Sequence, residues 1–114
     1  MKILLIDDSS AFRQAASMLL EFGGYEVVQA VDGKQAVQLA RELQPDVILC
    51  DMHMPGMNGN EVLEQLQASE SISGIRFIFL TGLGDSHVPE GFPFLGKPLK
   101  LEALQKMLEA ESGY

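Results

Sequence analysis

Short apolar runs alternate along this chain with stretches of helical periodicity, and that alternation limits the possible folds more tightly than any other feature. Lys2 to Asp7 is an apolar run ending in acid, and Ala11 to Phe22 repeats apolar residues at helical spacing until Gly23 and Gly24 stop it. Tyr25 to Ala30 is a second strand. Asp32 is placed to cap a helix through Leu43, which Pro45 prevents from continuing. Val47 to Cys50 is apolar without interruption, as expected of a strand buried on both faces of a parallel sheet. Glu61 to Ala68 reads as helix, Phe77 to Leu80 as a strand ending at Thr81, and Phe94 to Gly96 as a short strand. Leu99 to Leu108 closes the chain as a helix with Leu101, Leu104 and Leu108 on one side. The spacing predicts an α/β fold, a doubly wound five-stranded parallel sheet with helices on both faces. The pattern fails between Thr81 and Phe94, where Gly82, Gly84, Pro89, Gly91 and Pro93 argue against a long helix.

The length of 114 residues suits one domain, residues 1–114, with a core that needs no covalent staple. Cys50 has no cysteine to pair with and lies in an apolar run, so it reads as a small buried thiol in a reducing compartment. The longest apolar runs fall far short of the about 20 residues that cross a bilayer. The N-terminus lacks a basic segment leading into a long apolar one, so no signal peptide is expected. A cytoplasmic protein without membrane contact is expected. The net charge of −8 and the absence of any basic run argue against nucleic-acid binding.

The polar residues that end the strands are Asp7 and Asp8, then Asp51, Thr81 and Lys97. In an open parallel sheet ligands bind beyond the carboxyl ends of the strands, where strand order reverses, so these distant positions converge on one pocket. Carboxylates about 4 Å apart repel one another by roughly 1 to 4 kcal/mol per pair, depending on the local dielectric. A hard cation relieves that repulsion, and Mg²⁺ suits a few carboxylates, waters and a phosphate oxygen. A carboxylate becomes a competent phosphoryl acceptor when a metal screens the approach of two anions. Asp51 is the best-placed acceptor, since the tight turn Met52-His53-Met54-Pro55-Gly56 follows it. Thr81 offers a hydroxyl and Lys97 an ammonium to the new phosphoryl oxygens. Singly, each has a plain account: Asp8, Ser9 and Ser10 as helix caps, Thr81 as a strand residue, Lys97 as a solvated lysine, Met54 and Met57 as packing. Their conjunction at the ends of successive strands favours a site.

Ile6-Asp7-Asp8, the stretch from Asp51 to Gly59, Leu80-Thr81-Gly82 and Lys97-Pro98 closely resemble the receiver domain of two-component response regulators, over essentially the whole chain. The resemblance implies the flavodoxin-like strand order 2-1-3-4-5. It implies that Asp51 is phosphorylated by a histidine kinase or a histidine phosphotransfer protein. Asp8, Asp51 and the His53 carbonyl would then bind Mg²⁺, with Asp7 assisting through water. Thr81 and Lys97 would sense the phosphoryl group, and Phe94 would be the aromatic coupled to the threonine. Two departures stand out. Only sixteen positions separate Thr81 from Lys97 (97 minus 81), where the family fits a full helix, so a shortened or irregular fourth helix and an altered output face are expected. The positions that tune phosphoryl lifetime hold His53 and Leu83, and Leu83 cannot orient water, which implies slow self-dephosphorylation. The string from Gly91 to Pro98 is similar to receivers of hybrid histidine kinases.

The expected function is a signalling switch of a two-component system, not an enzyme, acting on an unknown downstream protein. A phosphotransfer intermediate or the receiver module of a hybrid histidine kinase, stand-alone or excised, is the alternative. An aspartyl-phosphate phosphatase of haloacid-dehalogenase type would need an acid where His53 stands. A flavodoxin-type flavin carrier would need a phosphate cradle where Asp7 and Asp8 repel phosphate.

Overall fold

The computed structural model describes residues 1–69, 74–82 and 88–112. The strands β1 (Lys2–Ile6), β2 (Glu26–Ala30), β3 (Val47–Asp51), β4 (Arg76–Thr81) and β5 (Phe94–Gly96) form one parallel sheet. Their order is β2-β1-β3-β4-β5, as expected. The helices are α1 (Ser10–Phe22), α2 (Gly33–Leu43), α3 (Gly59–Gln67) and α4 (Leu101–Ser112). Strand order reverses between β1 and β3, whose register pairs Ile6 with Cys50. Asp7 and Asp51, the residues that follow this pair along the two strands, therefore emerge side by side.

Strand side chains alternate between two apolar layers, as the pleat requires. Leu4, Ile6, Ile48, Cys50, Phe77 and Phe79 meet Ala36, Val37 and Ala40 of α2 and Val62, Leu63 and Leu66 of α3. Ile3, Leu5, Val47, Leu49, Ile78 and Leu80 meet Ala16 and Leu20 of α1 and Leu104 and Leu108 of α4. Full burial of each larger aliphatic side chain contributes about 1.5 to 3 kcal/mol. Every residue of β3 is buried, which is why its sequence shows no polar alternation.

Several boundaries differ from the expected ones for local reasons. The first helix takes Ser9 as its cap, the side chain accepting from the Phe12 N–H, and this leaves Asp8 outside the helix. The third helix starts at Gly59 because Asn58 caps it and Glu61 closes a reciprocal capping box. The last helix starts at Leu101 and continues to Ser112, while Leu99 is buried as an anchor ahead of it. Gly56, at φ +82°, allows the turn between β3 and α3.

Between β4 and β5, residue 82 and residues 88–93 form bends and turns with no helix among the described residues. Leu83 and Gly84 lie outside them. On the face shared with α2 and α3, Val88 and Phe92 pack against the core. The Phe92 ring meets Phe79 edge to face, with centroids 6.1 Å apart. The Phe79 N–H donates to Pro93 O at 3.1 Å, which ties this segment to β4.

Gly59 fixes how closely α3 approaches the end of β3. A Cβ there would stand 2.7 Å from the Asp51 carbonyl oxygen and 3.1 Å from Met52 Cα, both backbone atoms. Alanine normally favours a helix over glycine by about 1 kcal/mol. Here the sign reverses: Gly59→Ala is expected to destabilise the domain by about 1 to 3 kcal/mol, because α3 must move away from Asp51. Denaturant unfolding of the two proteins measures the difference.

Candidate functional site

Asp7, one residue beyond β1, is fully buried, Asp8 is exposed, and Asp51 ends β3 with 6% of its surface accessible. One carboxylate oxygen from each can be chosen so that all lie within 4.8 Å of one another. The structure thus brings together the three acids that the sequence places at strand ends. Lys97 joins them from the end of β5, where its N–H donates to Thr81 O at 2.9 Å. Its ammonium stands 2.5 Å from Asp7 Oδ2 and 3.2 Å from Asp51 Oδ1.

The surrounding backbone holds these groups. The Ser9 N–H donates to Asp7 Oδ1 at 2.8 Å, and the Asp7 carbonyl accepts from Arg13 Nη1 at 2.6 Å. Arg13 Nε in turn donates to Gln29 Oε1 at 3.2 Å. The His53 N–H donates to Asp51 Oδ1 at 3.4 Å, while the His53 side chain is exposed. Thr81 is buried at the end of β4, opposite Gly96. Phe94 is 38% exposed on the edge strand, in register with Phe79. Leu83 lies outside the described residues.

Phe12 and Arg13 belong to this neighbourhood although the sequence does not single them out. An aromatic in the first turn of an amphipathic helix reads as core, and an arginine beside it as surface. The Lys97 ammonium lies 4.5 Å from the centre of the Phe12 ring.

Burial raises the Asp51 carboxyl above its ordinary value, Asp7 adds repulsion, and Lys97 partly offsets both. Burial alone would lower Lys97, but its hydrogen bond to Asp7 and the charges of Asp51 and Asp7 outweigh it, so the ammonium is held more firmly than usual. The Cys50 thiol is pushed well up by burial and then by Asp51, which suits an inert core residue. Hard oxygen donors around a repelled carboxylate suit a hard divalent cation. A cavity of about 680 Å³ lies at the other end of the strands, lined by Met1, Asp46 and Arg76 among others. Among the described residues the acid cluster is the only group of three potential metal ligands, and that cavity holds none of it.

The sequence profile of the response regulator receiver domain matches residues 3–109. The chain belongs to the response regulator receiver domain family. The receiver is 36% identical to the DNA-binding dual master transcriptional regulator RpaA of Synechocystis over 115 residues, 96% of this chain and 48% of that protein. It therefore spans about half the length of that relative. Protein PilH of Pseudomonas aeruginosa is 34% identical over 116 residues, 96% of this chain and 95% of PilH. In structure the receiver is similar to the receiver domain of sensor histidine kinase PA1611 of Pseudomonas aeruginosa, solved with a magnesium ion coordinated in its active-site cleft. That likeness has a TM-score of 0.88 at 30% identity and covers 99% of this chain and 98% of the other. Among the described residues no helix is long and apolar enough to cross a membrane.

The Asp51 carboxyl binds its proton more tightly in the fold than in the unfolded chain. Stability is therefore lost as pH rises from the ordinary carboxylate range through the raised value, and the whole penalty is present at neutral pH. Asp51→Asn removes it and leaves Lys97 paired with Asp7. Without divalent cations at pH 7 the variant is expected to gain on the order of 1 kcal/mol, or about 4 °C in Tm. The gain should shrink in acid, where the wild-type carboxyl is protonated. Calorimetry of both proteins across pH measures it.

Proposed function

We propose that this receiver takes a phosphoryl group on Asp51 from a phosphohistidine and that the modified form binds a downstream protein differently. The observation that carries the reading is the Asp51 carboxylate itself: buried at a strand end, repelled by Asp7, and met by the ammonium of Lys97. Asp8, Asp51 and the His53 carbonyl are the groups that would hold Mg²⁺, with Asp7 assisting through water. A cation bound there supplies charge screening between carboxylate and phosphoryl group.

An oxygen of Asp51 attacks phosphorus, the P–N bond of the donor breaks with its electron pair left on the imidazole, and an acyl phosphate remains. Lys97 is already within reach of Asp51 and turns to a phosphoryl oxygen. The Thr81 hydroxyl donates to another. A threonine drawn toward phosphate vacates space, and Phe94, half-exposed on the short edge strand, is the ring that fills it. The donor is a histidine kinase or a histidine phosphotransfer protein, and the receiver acts as a cytoplasmic switch, not as an enzyme turning over free phosphate esters. The likeness to a kinase's receiver favours a second setting, a module or phosphotransfer intermediate within a hybrid histidine kinase.

Incubation with acetyl phosphate and Mg²⁺, read by intact mass, is expected to add one phosphoryl group to the receiver and none to Asp51→Asn. The adduct should disappear when the metal is chelated beforehand. An adduct that survives in Asp51→Asn places the acceptor elsewhere.

A further inference from the structure

The Lys97 ammonium has three supports, and two of them are carboxylates that meet other charges in the proposed reaction. Asp7 Oδ2 at 2.5 Å and Asp51 Oδ1 at 3.2 Å are anions that a cation or a phosphoryl group would engage. The third support is the Phe12 ring, 4.5 Å from Nζ, on the first turn of α1. That turn is fixed from both ends. Ser9 caps it through the Phe12 N–H, and Arg13 binds the Asp7 carbonyl and Gln29. Phe12 is half-buried and packs against the layer beneath α1 and α4, so its ring cannot swing freely.

We infer that Phe12 is a positioning residue that keeps the Lys97 ammonium at the acceptor when its carboxylate partners are taken up by other ligands. The face of an aromatic ring attracts an ammonium through its quadrupole, carries no net charge and does not titrate. Its hold on Lys97 is therefore the same before and after charge enters the cluster. The inference rests on Asp51 being the acceptor. Leucine at position 12 keeps most of the apolar burial and loses the quadrupole, whereas tyrosine keeps the ring.

Two measurements test it. In the ¹³C-labelled protein the Lys97 ε-methylene protons, assigned by their loss in Lys97→Arg, are expected to be shifted upfield by the ring and to stay shifted as Mg²⁺ is added. In Phe12→Leu they should return to the ordinary lysine position. Mg²⁺ should then bind about two- to fivefold more tightly, because an unpinned ammonium yields to the cation. Phosphoryl uptake from acetyl phosphate at saturating Mg²⁺ should fall on the order of fivefold in Phe12→Leu, while Phe12→Tyr stays well above it. A purely structural role would weaken metal binding and transfer together and lower Tm. That pattern, or equal transfer by the leucine and tyrosine variants, overturns the inference, as does an unshifted Lys97 signal in the wild type. A wild type that takes no phosphoryl group while its Lys97 signal stays shifted overturns the acceptor reading and the transfer half of the inference. The placement of the ammonium is then decided by the spectrum alone.

Discussion

The repulsion between Asp7 and Asp51 organises this end of the molecule, and the packing of β1 against β3 enforces it. Two neighbouring parallel strands, buried on both faces, deliver two carboxylates side by side because Ile6 and Cys50 share a register. Neither acid can retreat, since the layers behind them are closed by Leu4, Ile6, Ile48 and Cys50 on one face and by Ile3, Leu5, Val47 and Leu49 on the other. Apolar burial summed over these side chains far exceeds a repulsion of a few kcal/mol, so the fold tolerates the conflict. In the function proposed for it, a site that takes a cation and then a phosphoryl group gains from a conflict that ligands relieve.

Lys97 makes the arrangement tolerable without removing its responsiveness. One ammonium serves two carboxylates, and its backbone is tied to Thr81, so the residue reaches the site from β5 while its main chain is fixed to β4. The three acids and the ammonium that offsets their charge share one edge of the sheet. A change in charge at Asp51 is thereby felt directly at the ends of β4 and β5, the two strands farthest from β2.

The sheet and the cluster were largely legible in the sequence because both follow from periodicity. Uninterrupted apolar runs marked the buried strands, and the residue type at each strand's carboxyl end marked Asp7, Asp51, Thr81 and Lys97. Helix starts were less legible: Asn58 and Glu61 carry the spacing of a capping box, yet Gly59 reads as part of the turn from Met54, so α3 was expected two residues late. Phe12 stayed hidden for a different reason. Its partner Lys97 is distant in sequence, and nothing local distinguishes a ring that faces an ammonium from one that faces leucine. The segment after Thr81 was readable only as the lack of a pattern, and its packing through Phe92 depends on contacts no spacing encodes.

The way Phe92 covers Phe79 sets the energy scale for motion at that corner. A helix laid on the sheet carries its own ladder of hydrogen bonds, and lifting it means melting or moving a cooperative unit. Here the cover is a ring at the end of a turn, joined to β4 by the bond from the Phe79 N–H to Pro93 O. Releasing the ring uncovers Phe79 but leaves that bond in place, because it belongs to the register in which Phe79 faces Phe94 of β5. Movement of the ring and separation of β5 from β4 are therefore distinct events, the first the loss of one aromatic contact and the second the loss of sheet pairing.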